Sequence, residues 1–89
     1  MRQTMDMLHH VFDEARQSGS PFIFIVTEYP EFNGIPTRKE VESIPRHNFI
    51  VSEMVYQKYF SYDLKMKANE GVHVVAMSHG DASELTNII

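Results

Sequence analysis

The sequence predicts a single α/β or α+β domain built in two layers, with a sheet of about three strands covered by helices. Two observations lead to this prediction. The run Phe22–Val26 holds five consecutive bulky apolar residues, which is typical of a strand buried on both faces. Apolar residues recur at helical spacing both before and after this run, as expected for helices that cover a sheet. A chain of 89 residues is expected to form one domain.

The first helix is predicted over residues 4–18, where Met5, Leu8 and Phe12 recur at spacings of three and four residues. A Ser-Gly-Ser-Pro sequence follows and is a usual helix terminator. The central strand is predicted directly after it, over residues 21–28.

The next segment is open to two interpretations. An Asn-Gly pair at residues 33–34 marks a turn, and a hairpin at this turn is one alternative. The residues that follow favour a helix over 37–43 instead, because Thr37 and Glu40 have the spacing of a capping box. Pro45 would stop this helix.

A β-prone run at residues 48–51 precedes the third predicted helix, which covers about residues 53–67. Ser52 is interpreted as the N-cap, and the apolar residues after it recur at helical spacing. A strand is the alternative, since Tyr, Phe and Val all favour strands. The last strand is predicted at residues 72–77.

The third helix carries two apolar stripes, although one is enough to cover a sheet. Two interpretations are open: a wide face buried inside the domain, or a subunit interface, where Tyr and Phe are enriched. The interface residues would be Tyr56, Phe60 and Leu64. The other stripe holds Val55, Tyr59, Tyr62 and Met66.

Composition narrows the functional classes. The formal net charge is −4, with eight Lys and Arg against twelve Asp and Glu, so nucleic-acid binding is not expected. The absence of cysteine excludes disulfides and thiolate chemistry. The longest apolar run is too short to cross a membrane and no targeting segment is recognised, so a cytoplasmic location is expected.

A candidate ligand site depends on the direction of the strands. If they are parallel, the polar segments that follow the central and last strands meet at one edge of the sheet, beside the start of the third helix. Basic side chains around the second helix would then suit an anionic, nucleotide-like ligand. Ordinary polar strand ends are the alternative explanation. The predicted ligand-binding residues are Glu28, Tyr29, Arg38, Arg46, Ser52, His79 and Asp81.

Two i, i+4 pairs on the first helix, His9 with Asp13 and His10 with Glu14, have a spacing that zinc ligands also use. A zinc site needs three or four convergent ligands, and no second His-rich helix supplies the others. No metal site and no cofactor are therefore predicted.

Three functions remain, in order of preference. The first is a small non-catalytic, self-associating interaction or regulatory protein, because the domain is small, the third helix has two apolar stripes and no catalytic motif is present. The expected partner is a second copy, with another protein as the alternative. The second function is a binding module for a small anionic ligand, at the strand ends or a subunit interface. The third is an enzyme that uses His79 with Asp81 or Glu28 for acid–base chemistry.

Overall fold

Four strands and three helices make up residues 2–88, which are the residues that the computed structural model describes. The strands are β1 (Phe22–Tyr29), β2 (Arg38–Pro45), β3 (Lys65–Met66) and β4 (Asn69–Gly80). The helices are α1 (Met5–Ser18), α2 (Phe49–Tyr59) and α3 (Glu84–Ile88). The strands form one antiparallel sheet in the order β2-β1-β4-β3. The α+β prediction is therefore confirmed, with four strands where the sequence predicts about three.

The central position of β1 is confirmed. This strand pairs with β2 on one side and β4 on the other, and all five residues from Ile23 to Thr27 are buried. Ile23 and Ile25 face α1 and α2, whereas Phe24 lies on the opposite face, which α3 contacts. Both faces of β1 are thus covered although its neighbours run antiparallel to it.

The predicted helix over residues 37–43 is wrong, because this segment is the edge strand β2. Asn33 and Gly34 both have positive φ angles, 49° and 81°, as a hairpin turn of the type favoured by Asn-Gly requires. The turn folds the chain back so that Tyr29 pairs with Arg38. Pairing with a central strand outweighs the local capping signal, since that signal is worth only about 1 kcal/mol.

The third predicted helix exists with different bounds. It begins at Phe49 instead of residue 53, after a turn of 3₁₀ helix at Arg46–Asn48, and it ends at Tyr59. Ser52 therefore lies inside α2 and is not its cap. Beyond the helix, Leu64 is fully buried with a left-handed backbone (φ 56°), so burial of its side chain outweighs the conformational cost.

The core lies between the sheet and the pair α1 and α2. The α1 prediction is confirmed: the Thr4 hydroxyl accepts a hydrogen bond from the N–H of Met7, and Gly19 ends the helix in a left-handed conformation. Aromatic rings connect the two helices, because Phe12 meets Phe49 edge to face at 5.9 Å between centroids. The fully buried large side chains are Leu8, Phe12, Ile23, Phe24, Ile25, Ile44 and Leu64.

Candidate functional site

The predicted ligand-binding residues do not converge, because the strands are antiparallel. Tyr29 lies at one end of β1, where it pairs with Arg38, whereas Phe22 at the other end pairs with Gly80. Tyr29 and His79 are thus at opposite ends of the sheet. The structure divides the predicted set into two groups with different surroundings.

The group at the β4 carboxyl end serves to hold elements together. Nδ1 of His79 lies 2.8 Å from the Ser20 hydroxyl, and Nε2 lies 3.3 Å from Oε2 of Glu14. Arg46 donates to the carbonyls of Ala15 and Ser20, at 3.3 and 3.0 Å. These contacts satisfy the end of α1 and attach it to β2 and β4, so both residues already have partners within the chain.

Asp81 follows β4 and stabilises the turn into α3. Its Oδ1 accepts hydrogen bonds from the Ser83 hydroxyl and the Ser83 N–H, at 2.5 and 3.0 Å. The two donors hold the pKa of the Asp81 carboxyl below its usual value, the hydroxyl having the larger effect. The predicted pairing of His79 with Asp81 is not observed, because the hydrogen bonds of these two side chains go to other residues.

Ser20, His79 and Glu14 share the residue types of a hydrolytic triad, but their geometry does not match one. The Ser20 side chain is on the Nδ1 side of the ring, and the carboxylate is on the Nε2 side, which reverses the usual arrangement. Ser20 is only 8% exposed, and its hydroxyl also contacts that of Ser18 at 3.0 Å. This hydroxyl is therefore mostly enclosed by its own chain.

The second group lies at the opposite end of the sheet. The guanidinium carbon of Arg38 is 4.5 Å from the centre of the Tyr29 ring, and Arg38 Nε donates to Glu40 at 2.9 Å. Glu28 lies on the other face of the sheet, 3.7 Å from Nε2 of His73. Arg38 is therefore engaged with its own chain, which leaves it a poor anchor for an anion.

Tyr29 and Ser52 do line one cleft, which lies between α2 and the sheet. This cleft, of about 250 Å³, is referred to below as the α2–sheet cleft. Its lining combines hydroxyl groups, aromatic rings, two aliphatic side chains and one carboxylate. The residues that line it are Thr27, Tyr29, Glu42, Ser52, Val55, Tyr56, Phe60 and Met66.

One hydrogen bond closes the floor of the α2–sheet cleft. The Tyr56 hydroxyl donates to Oε1 of Glu42 at 2.6 Å, and Tyr56 is buried whereas Glu42 is exposed. Burial raises the pKa of Tyr56 well above its ordinary value, and the hydrogen bond to Glu42 and the charge of that carboxylate raise it further. Tyr56 therefore remains a neutral donor, and Glu42 supplies the negative charge of the cleft.

The predicted interface stripe is buried inside the domain. Tyr56, Phe60 and Leu64 are 7%, 8% and 0% exposed, and all three belong to the core beneath α2. Little of their surface is left to form the main contact between two subunits, so the structure favours the interpretation of this stripe as a wide buried face.

The exposed apolar surface of α2 is on its opposite side. Val51 and Met54 are 62% and 64% exposed. The charged residue on this side is Lys58, whose Nζ lies 5.3 Å from the centre of the Tyr59 ring. A shallow groove of about 350 Å³ runs along this side. We call it the outer face of α2, and its residues are Val51, Met54, Val55, Lys58 and Tyr59.

The histidines of α1 each contact a carboxylate. Nε2 of His10 lies 2.9 Å from Glu14, its i+4 neighbour, but Nδ1 of His9 lies 2.8 Å from Glu53 on α2. Arg16 also reaches Glu53, at 2.6 Å, so that this carboxylate joins the two helices. Within residues 2–88, no three His, Asp or Glu side chains are grouped as metal ligands would be.

Sequence reasoning missed the residues that matter most to these two surfaces. The sequence predicts a helix around Glu42, and no pattern in it relates this residue to Tyr56. It predicts a short β-prone run at Val51 and places Met54 in neither apolar stripe. The available signal was the segment 49–59, whose apolar residues are spread around the helix and are not confined to one stripe.

Comparison with protein-family models, with curated protein sequences and with solved structures found no match to this chain. Among residues 2–88, no helix combines the length and apolar character that crossing a bilayer requires.

Proposed function

We propose that this protein is a small non-catalytic interaction protein that self-associates through the outer face of α2. The observation that carries the proposal is the exposure of Val51, Met54 and Tyr59 on one side of a helix whose other side is already buried. A soluble monomer seldom leaves such a contiguous apolar strip in water, because covering it gains about 25 cal/mol per Å².

The contrast with α1 supports this proposal. Asp6, His10, Asp13 and Gln17 occupy the solvent side of α1 and are exposed polar residues. This is the usual pattern of a helix with one covered side. The two helices pack against the same sheet face, so the apolar outer face of α2 is a property of that helix and not of the layer as a whole.

Charge complementarity favours a second copy as the occupant. In an antiparallel pair of α2 helices centred between Met54 and Val55, Lys58 of each copy lies beside the first turn of the other α2. Ser52 is in that turn and lines the α2–sheet cleft together with the Glu42 carboxylate. The same contact is made twice about a two-fold axis, which closes the assembly as a dimer.

The β2 edge of the sheet is a weaker candidate for the contact. The edge strand β2 carries exposed charges at Arg38, Lys39 and Glu40, and Pro45 at its end has no N–H to donate. Charges and proline at an edge strand oppose pairing with another sheet. The outer face of α2 has no such protection.

Sedimentation velocity across the micromolar range tests the proposal. Wild-type protein is expected to shift from monomer to dimer as its concentration rises, and Met54→Glu is expected to remain monomeric. Gln57→Glu is the matched control, because it places the same charge on an exposed position of α2 outside the outer face. A wild-type protein that stays monomeric, or a Met54→Glu variant that still dimerises, would overturn the proposal.

A further inference from the structure

The α2–sheet cleft has the composition of a binding site for a cation. The rings of Tyr56 and Phe60 lie 5.0 Å apart between centroids with 37° between their planes, and Tyr29 adds a third ring to the lining. The faces of aromatic rings carry partial negative charge and attract cations. The neighbouring Arg38 already makes such a contact on Tyr29, at 4.5 Å.

The cleft also contains a carboxylate without a counter-ion. Glu42 accepts the hydrogen bond of Tyr56 through Oε1, and no Lys, Arg or His side chain in residues 2–88 lies within ion-pair distance of it. The carboxylate is held at the cleft by Tyr56, which is itself fixed in the core. Its charge is therefore positioned before any ligand arrives.

We propose that the α2–sheet cleft binds an organic ammonium group, held by the rings of Tyr29, Tyr56 and Phe60 and by the Glu42 carboxylate. An anion is disfavoured by Glu42, and an uncharged ligand would gain a hydrogen bond from it at most, without the attraction between opposite charges. A bare metal ion prefers several oxygen ligands, whereas one carboxylate among aromatic rings suits a cation with an apolar surface.

Two sources of the ammonium group share this chemistry: a free small molecule and Lys58 of a second copy. The site itself is independent of self-association, since all its residues belong to one chain. Only the second source rests on the proposed function.

The test is a titration of the full ¹⁵N-labelled chain with choline, followed by NMR. Saturable shifts are expected at the amides of Thr27, Ser52 and Tyr56. The tert-butyl analogue of choline, in which carbon replaces the charged nitrogen, has the same shape and is expected to bind about tenfold more weakly. Equal binding of the two compounds, or no saturable shift with choline, would overturn the inference.

Two variants separate charge from shape and one source from the other. Glu42→Gln keeps an acceptor for Tyr56 but loses the charge, so choline affinity is expected to fall about tenfold, and unchanged affinity would contradict the inference. In Lys58→Gln, tighter choline binding than in wild type identifies Lys58 of a second copy as the natural occupant. Unchanged binding identifies a free ammonium ligand. Saturable binding to a monomeric wild-type protein supports the site even where the self-association proposal has failed.

Discussion

The hydroxyl of Tyr56 donates a 2.6 Å hydrogen bond to Glu42, and this contact joins α2 to the edge strand β2. Its donor is part of the core, whereas its acceptor is in contact with water. The bond therefore attaches an exposed carboxylate of β2, an edge strand with few buried residues, to the core.

Replacing Tyr56 by Phe is expected to lower the free energy of unfolding by about 1 kcal/mol at neutral pH, because one hydrogen bond is lost while the Glu42 carboxylate regains water. Urea unfolding measures the change. Tyr62→Phe is the matched control, since the Tyr62 hydroxyl also donates to a carboxylate, Asp6 at 3.0 Å, but both partners are exposed. A loss in Tyr62→Phe equal to that in Tyr56→Phe would show that burial of the donor has no effect.

The raised pKa of Tyr56 also predicts that the stability of the protein falls at alkaline pH. The pKa of Tyr56 is raised in the folded state above its ordinary value of 10.0, so folding favours the neutral phenol. This contribution is fully present below the unfolded pKa and is lost as pH rises above about 10. Wild-type stability is therefore expected to fall more steeply than that of Tyr56→Phe above this pH. Parallel curves for the two proteins in urea unfolding at stepped pH would contradict the expectation.

The left-handed backbone of Leu64 predicts that the glycine variant at this position is more stable than the alanine variant. Leu64→Ala removes a fully buried side chain and is expected to cost about 3 kcal/mol. Because φ of Leu64 is 56°, Leu64→Gly relieves backbone strain and is expected to be about 1 kcal/mol more stable than Leu64→Ala. Thermal unfolding compares the two variants. A glycine variant less stable than the alanine variant would mean that the left-handed backbone carries no cost here.

Glu53 connects α1 and α2. Its removal is expected to lower the stability more than removal of Asp13, the other carboxylate that pairs with Arg16. Glu53→Ala is expected to cost about 2 kcal/mol, because it removes charged hydrogen bonds to His9 and Arg16 at a mostly buried position. Asp13→Ala removes an exposed partner of the same Arg16 and is expected to cost less than about 0.5 kcal/mol. Chemical unfolding of both variants checks this, and equal losses would contradict it.

The positive φ of Gly34 predicts that the hairpin turn is less stable with another residue at this position. A side chain at this position would meet no atom within 4 Å, so the effect of Gly34→Ala comes from its φ of 81° alone. The expected cost is about 1 kcal/mol, and Gly34→Asn is expected to recover part of it because Asn tolerates this conformation. Thermal unfolding measures both. No loss in Gly34→Ala would mean that the turn rearranges without cost.

The parts of the fold that the sequence predicted correctly are those whose signal lies within one element. The apolar run of β1 and the apolar spacing and cap of α1 each specify their own structure. The capping-box pattern at Thr37 failed because β2 is stabilised by pairing with β1, a contact that no local pattern contains. Asn33-Gly34 was the local evidence for that pairing.

The candidate site was less predictable because it depends on strand direction and on which side of a helix is covered. Tyr29 and Ser52 lie in one cleft, but His79 is at the far end of the sheet, since β4 runs antiparallel to β1. Spacing identified two apolar stripes on the segment after Ser52. It could not indicate which stripe would be buried, because both have the same period and similar composition.

The position of β1 at the centre of the sheet has a consequence for how the chain folds. One neighbour, β2, is a hairpin partner nearby in sequence, but the other, β4, pairs Phe22 with Gly80, a residue far along the chain. Until β4 arrives, the uncharged run Phe22–Val26 presents an open strand edge, which is the kind of segment that aggregates. Docking of β4 therefore also covers an edge prone to aggregation, and slow or failed docking of β4 would leave this edge exposed.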